Sequence, residues 1–275
     1  MGSILWTWIK SLNSRLQDLE MISSQEINFV AFHIDIDDKV LKEAQSVAKA
    51  VSNEETENLL ELMFSSVKKY YPKASLYILT DKTSKVSEYG KSKIIRYDLD
   101  KRYPILSRNK AWYQFLDRKE NATIFLDSDI LINDSFDELL GTEFDIAFTF
   151  RNWKKWPINL GIIYIKTNKN NRTYNFFKDW YNQFLDLKDE QKVWGGDQDL
   201  IHEKFKDFDF SVDHHFDSKF DDYQIKFLNC SEYNYSSEMN EPMLEYPSNT
   251  KVLHFKGARK KYMKKCWEQM KKGIS

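Results

Sequence analysis

The apolar positions of this chain alternate between short unbroken runs and stretches in which they recur every three or four residues. "INFVAFHI" (27–34), "ASLYILTD" (74–81), "KIIRYDL" (93–99), "ATIFLD" (122–127), "FDIAFTF" (144–150) and "LGIIYIK" (160–166) have strand length and are rich in β-branched and aromatic residues. They predict strands, mostly buried on both faces. Among them, "ENLLELMFSSVKKYYP" (57–72) sets Leu59, Leu62, Met63, Val67 and Tyr70 on one helical face and stops at Pro72. A helix near 107–118 carries Trp112, Phe115 and Leu116, and "RTYNFFKDWYNQFLDL" (172–187) carries Tyr174, Phe177, Tyr181 and Phe184. Leu5, Ile9, Leu12, Leu16 and Leu19 predict an N-terminal amphipathic helix packed on the body. Residues 207–250 have weak periodicity and read as loops and short elements shaping a binding surface. Strands alternating with amphipathic helices predict an α/β fold whose largely parallel sheet is covered on both faces. Ligands on such sheets bind beyond the carboxyl ends of the strands.

Composition narrows the class. With 275 residues, 41% of them hydrophobic, the chain can bury a sizeable core. We expect an N-terminal helix (1–26), one catalytic domain (27–260) and a basic C-terminal tail (261–275). A formal charge of -1 argues against a partner bound by uniform phosphate neutralisation, so no nucleic acid is expected. Two cysteines, Cys230 and Cys266, make neither a disulfide framework nor a cysteine zinc site. Five Asn-x-Ser/Thr sites start at Asn121, Asn133, Asn171, Asn229 and Asn234, and glycans at the first two would obstruct the intervening segment. "ILWTWI" is too short to span a bilayer, and no cleavage site follows it. A cytoplasmic protein is the expectation. The tail from Lys256 to Lys272 holds eight basic residues and one acidic, interleaved with Tyr262, Met263, Trp267 and Met270. A solvated helix and a peripheral contact with an anionic membrane, at the inner face, are both open readings of it.

The segment with most chemical content is "ATIFLDSDILIND" (122–134). Side chains alternate along extended backbone, so Asp127 and Asp129 can face one side and converge. Two unneutralised carboxylates repel, and a hard divalent cation relieves this. A bare Asp-x-Asp is more often a turn, and the pattern recurs at Asp35, Asp98, Asp197 and Asp207. At Asp127, however, "TIFL" precedes and "ILI" follows, so the acidic pair interrupts strong β sequence. His254 within "VLHF" reads equally as a core histidine, Asp197 after Gly195-Gly196 as a helix cap, and Lys260 as part of a solvated basic face. His214-His215 has no carboxylate pair in register and is left structural.

"IFLDSDILIND", "PINLGIIYIK", "GGDQDLI" and "HFKGARK", in that order across 122–260, together resemble the metal-dependent glycosyltransferases of the GT-A fold, particularly family 8 and related nucleotide-diphospho-sugar transferases. The resemblance implies that Asp127, Asp129 and His254 ligate Mn²⁺ or Mg²⁺, with an imidazole ligand favouring Mn²⁺. It implies that Gly257 and Lys260 serve the diphosphate, Arg108 a phosphate or donor hydroxyls, and Asn159, Gly161, Asp197 and Gln198 the donor sugar. Ala31, His33 and Asp35 correspond to nucleoside contacts. The implied reaction is transfer from a UDP-sugar to a glycan or lipid-linked acceptor with retention of configuration, Asp197 and Gln198 lying at the reacting centre, as in polysaccharide biosynthesis. Two positions depart from the family pattern: Lys261-Tyr262 stand where Pro-Trp usually follows the terminal motif, and "AFHID" replaces a small residue and aspartate. A haloacid dehalogenase phosphatase, a sugar nucleotidyltransferase and a non-catalytic nucleotide-sugar or glycan binder are the alternatives. Leu131 and the late position of the motif disfavour the first, and the absence of an opening Gly-rich loop the second.

Overall fold

The computed structural model describes residues 27–36, 53–166, 168, 171–237 and 245–273. The expected N-terminal helix lies outside the described residues. Ten strands are assigned: β1 Asn28–Phe32, β2 Ser75–Asp81, β3 Lys93–Tyr97, β4 Thr123–Leu126, β5 Ile130–Ile132, β6 Ile146–Phe150, β7 Ile158–Ile165, β8 Phe216–Phe220, β9 Tyr223–Asn229 and β10 Val252–His254. Seven helices accompany them among the described residues: α1 Asn53–Tyr70, α2 Pro104–Leu116, α3 Asp137–Leu140, α4 Arg172–Leu185, α5 Gly196–Lys204, α6 Cys230–Tyr233 and α7 Met263–Lys271.

Eight strands form one sheet in the order β3-β2-β1-β4-β7-β6-β9-β8. Its first four strands run parallel, as the runs of apolar residues predict. The other half is mixed: β7 is antiparallel to both β4 and β6, β9 is parallel to β6, and β8 closes the edge as a hairpin on β9. The region 207–250 therefore contributes two strands instead of loops alone. Phe216, Ser218 and Phe220 alternate with Asp217 and Lys219, the period-2 pattern of an edge strand with one wet face.

One face of the sheet packs against α1, α7 and a small second sheet made of β5 and β10. The other packs against α2 and α4, where Trp112, Phe125, Phe177 and Trp180 interlock. On α4 the buried face is Thr173, Phe176, Phe177, Trp180 and Phe184. Tyr174 and Tyr181, expected inside, sit at its margin against Tyr113. The tail is not a separate unit. Gly257–Tyr262 forms 3₁₀ turns, and α7 buries Met263, Cys266, Trp267 and Met270 in the main core, with Lys69 Nζ donating to the Met270 carbonyl at 3.0 Å. These apolar side chains are thus spent on packing, which removes the membrane-facing stripe that an amphipathic tail would need. No helix among the described residues is long and apolar enough to cross a membrane.

Asp81 ends β2 and fastens the loop that follows. Its carboxylate accepts from the Thr83 backbone N–H and hydroxyl at 2.7 Å each, from the Ser84 N–H at 3.1 Å and from the Ser84 hydroxyl, with Lys101 Nζ at 3.6 Å. Burial pushes this carboxyl up, but the Ser84 and Thr83 donors outweigh it and bring the pKa down to about 2 from 3.8. A depressed folded pKa adds stability above the unfolded value and loses it as pH falls through the interval to about 2. Asp81→Asn is therefore expected to lower the unfolding free energy by roughly 2 kcal/mol at pH 7, with the gap to the parent closing below about pH 4. Urea titrations across pH check this, and a gap that does not change with pH would contradict it.

Candidate metal and anion site

The site forms where the chain leaves one sheet for the other. β4 ends at Leu126, Asp127–Asp129 make a turn, and β5 begins at Ile130 in the second sheet. β10 pairs antiparallel with β5 and sets His254 opposite Ile130, so the imidazole arrives beside the acidic turn, and the Phe255 N–H donates to the Asp129 carbonyl at 2.8 Å. On the other side, β7 and β6 slip register between Phe148/Ile163 and Thr149/Asn159, a bulge that points the Asn159–Gly161 segment at the same turn. The Asp127 N–H donates to the Gly161 carbonyl at 2.8 Å. A cavity of about 750 Å³ opens there, lined among others by Arg108, Asp127, Asp129, Asn159, Gly161, Asp197, Gln198, His254, Gly257 and Lys260.

Asp127, Asp129 and His254 each offer a ligand atom within 4.8 Å of the others. His254 Nε2 lies 3.2 Å from Asp129 Oδ1 and 3.9 Å from Asp127 Oδ2. Lys260 Nζ is 3.2 Å from Asp129 Oδ2. Arg108 bridges Asp127 Oδ1 at 3.0 Å and Asp197 Oδ2 at 2.6 Å while stacking over Trp112 at 4.6 Å. Burial pushes the Asp127 carboxyl up to about 6 against the pull of Arg108, and Asp129 adds to the rise. Burial would also raise Asp129, but the Lys260 ammonium beside it holds that carboxyl well below the usual range.

A chain of hydrogen bonds fixes which imidazole nitrogen faces this cluster. The Gly161 N–H donates to Asn159 Oδ1 at 2.9 Å, so that atom is an acceptor, and Asn234 Nδ2 donates to it at 2.8 Å. The Thr149 hydroxyl donates to the Asn159 carbonyl and so accepts the second Asn234 donation, at 2.7 Å. Asn234 Oδ1 is thereby turned toward His254 Nδ1 at 2.8 Å, and the proton resides on Nδ1. Burial pushes the imidazole pKa down to about 4, so Nε2 is a lone pair at neutral pH. That lone pair and the Asp129 oxygen, both acceptors, face one another at hydrogen-bond distance, an arrangement that repels unless a cation lies between them. Two carboxylates and one oriented imidazole fit a divalent ion with mixed oxygen and nitrogen ligands. Asn234→Ala, which frees the ring to take the other tautomer, is expected to weaken Mn²⁺ binding 10- to 100-fold by the usual effect of a histidine's outer partner. Calorimetric titration of the two proteins with Mn²⁺ checks it; equal affinities would contradict the tautomer assignment.

Gly161 has a role beyond lining the cavity. A Cβ there would meet His254 Cε1 at 2.2 Å and Nδ1 at 2.5 Å, so the imidazole occupies the space that a side chain would fill. Asn159 spends its side-chain oxygen on the Gly161 and Asn234 donors. Asp197, 1% exposed in the first turn of α5, is tied to Arg108, while Gln198 lines the cavity beside it.

The three expected nucleoside contacts are placed elsewhere. Ala31 is fully buried in the core cluster under α1, so its side chain has no surface for a ligand. His33 is buried with Nε2 3.4 Å from Asp35 Oδ1. Asp35 closes the loop after β2, with its N–H donating to the Ser84 hydroxyl at 2.6 Å and its carboxylate accepting from the Lys85 N–H at 2.9 Å. None of the three lines the cavity.

Other residues join the site: Asn234 and Thr149 behind His254 and Arg151 at the cavity wall lie outside the four motifs, while Lys256 and Arg259, also at the wall, stand within "HFKGARK" with no role assigned to them there. Among the described residues, neither Arg151 nor Lys256 has a carboxylate within ion-pair distance. Burial lowers both, Lys256 to about 8 with Arg151 adding repulsion. A half-buried surplus of positive charge beside this candidate ion site suits a phosphate-rich anion.

No protein-family model matches the chain, and no curated protein matches it in sequence. Solved structures do match. The galactosyltransferase LgtC, solved in complex with donor and acceptor sugar analogues, is 13% identical, with 88% of this chain and 95% of that chain covered and a TM-score of 0.50. A glycosyltransferase involved in glycosylation of the major capsid of PBCV-1 is 11% identical, with 89% and 99% covered and a TM-score of 0.50. The fold is that of the GT-A glycosyltransferases. The parallel half-sheet, the acidic turn at its carboxyl edge and the second small sheet are its parts in this chain.

Proposed function

We propose that the protein transfers a sugar from a nucleotide-diphosphate donor, a UDP-sugar, to a glycan or lipid-linked acceptor. The observation that carries this reading is the meeting of an Asp-Asp-His set, its imidazole fixed with Nε2 inward, and the half-buried cations Arg151 and Lys256, which have no carboxylate partner among the described residues. Asp127, Asp129 and His254 would hold Mn²⁺, or Mg²⁺. That ion supplies Lewis-acid stabilisation of charge on the diphosphate.

Cleavage of the sugar–phosphate bond builds negative charge on the departing diphosphate. Lys260, Lys256 and Arg151 stand where this charge develops and stabilise the transition state more than the ground state. Gln198 faces the cavity as the polar group for the sugar, and Asp197 acts through Arg108 as a positioning residue. Among the described residues the cavity lining holds three carboxylates, of which two belong to the metal set and Asp197 is engaged by Arg108. Retention of configuration is part of this proposal: the acceptor oxygen bonds to the anomeric carbon on the face the diphosphate leaves, and its proton passes to the leaving phosphate oxygen.

The test is a panel of nucleotide sugars with Mn²⁺, scored by thermal shift and by donor hydrolysis, with Asp129→Ala as control. Stabilisation and hydrolysis by one donor, dependent on Mn²⁺, are expected. Inertness toward every donor would overturn the reading, and turnover of a simple phosphate monoester would replace it with a phosphatase.

A further inference from the structure

Of the four large hydrophobic side chains that are exposed among the described residues, two are tryptophans, Trp153 at 45% and Trp194 at 37%, and both line this cavity. Exposed tryptophan is costly when it serves nothing, because each ring carries a large apolar area. Trp156 joins them in the lining and stands nearly perpendicular to Trp153, with centroids 5.4 Å apart and planes at 84°.

This corner is held in place. Trp156 Nε1 donates to Asp199 Oδ1 at 2.7 Å. The backbone of Gly195, at φ +96°, lies so close under the ring that a Cβ would meet it at 2.7 Å. Arg151 stacks on Trp153 at 4.4 Å, linking the aromatic corner to the cationic wall of the same cavity. Asn152 and Gln198 supply hydrogen-bonding groups beside the rings.

We propose that Trp153, Trp156 and Trp194 form the acceptor subsite, and that its ligand is a pyranose-containing saccharide. The inference rests on the transferase reading of the cavity. A pyranose ring has a face of C–H groups that stacks on the negative face of an indole, and hydroxyls at its rim that take side-chain amides. Trp153 and Trp194 offer exposed ring surface, Trp156 is the fixed corner, and one cavity runs from these rings to the acidic turn. No aromatic of 207–250 lines the cavity, and Phe208, Phe210, Phe216 and Phe227 pack on one another and on Phe205.

The test titrates the full chain, with Mn²⁺ and UDP present, with lactose, cellobiose and maltose, following intrinsic tryptophan fluorescence. At least one disaccharide is expected to give a saturable change, weakened about tenfold in both Trp153→Ala and Trp194→Ala. Thermal stabilisation by Mn²⁺ with UDP is expected to be unchanged in Trp194→Ala; Trp153→Ala also removes the ring on which Arg151 stacks and is read for saccharide affinity alone. Absence of saturable binding by all three sugars, or unchanged affinity in both variants, overturns the subsite. If the sugars bind through these tryptophans but Mn²⁺ with UDP does not stabilise the parent chain, the donor reading fails and the saccharide site stands. Both substituted rings are surface-exposed, and a circular dichroism melt of each variant separates lost binding from lost folding.

Discussion

Asp129→Ala is expected to lower Mn²⁺-dependent donor turnover by about a thousandfold or more. Asp129 is buried and meets both His254 and Lys260, so on the proposed reading its removal deletes a metal ligand and releases the lysine assigned to the diphosphate. Loss of that charge stabilisation, several kcal/mol for a metal acting as Lewis acid, corresponds to roughly three orders of magnitude in rate. The variant is expected to melt lower than the parent but to stay folded, because Lys260 loses its carboxylate partner while repulsion between Asp129 and Asp127 is relieved. Initial rates at saturating Mn²⁺, with circular dichroism to confirm folding, measure the effect; a loss of less than tenfold would sink the metal assignment.

Gly161→Ala is expected to be almost as damaging through a residue that carries no functional group. The new methyl would fall 2.2 Å from His254 Cε1, so either the imidazole or the β7 bulge must move. Overpacking of this kind costs about 1–3 kcal/mol of stability. Displacement of the ring also breaks its bond to Asn234, and Mn²⁺ affinity is expected to fall at least 10- to 100-fold, as for loss of a histidine's outer partner. A thermal melt together with a Mn²⁺ titration distinguishes the two consequences. A variant that melts lower but binds Mn²⁺ normally would show that the bulge yields and His254 stays.

Much of this was legible in sequence because buried strands announce themselves by continuous apolar runs. The same runs carry no direction, so the antiparallel half of the sheet was not visible: β7 reads as buried whether it runs with β4 or against it. The acidic turn stood out by interrupting β sequence, and the physical reason is that β4 and β5 belong to different sheets. His254 looked like an ordinary core histidine, and it is buried as one; only its pairing beside Asp129 and its bond to Asn234 give it a function. Asn234 itself lies in an irregular stretch, 75 residues from Asn159 in sequence, with no spacing to mark it. Of the expected nucleoside contacts, Ala31 turns its side chain into the core and His33 and Asp35 pair with one another, so the cavity reading does not rest on them. On the tail, alternating charge and aromatic residues suit a membrane surface and a helix docked on a protein core equally, and the contacts with α1 decide for the latter.

The most direct measurement of the central claim is electron spin-echo spectroscopy of the Mn²⁺-loaded protein. One directly coordinated imidazole nitrogen is expected in the parent chain, with its ¹⁴N modulation lost in His254→Gln while tightly bound Mn²⁺ is weakened or lost in Asp129→Ala. A Mn²⁺ spectrum without nitrogen coupling, or one unchanged by His254→Gln, would contradict the convergence of Asp127, Asp129 and His254 on a single ion.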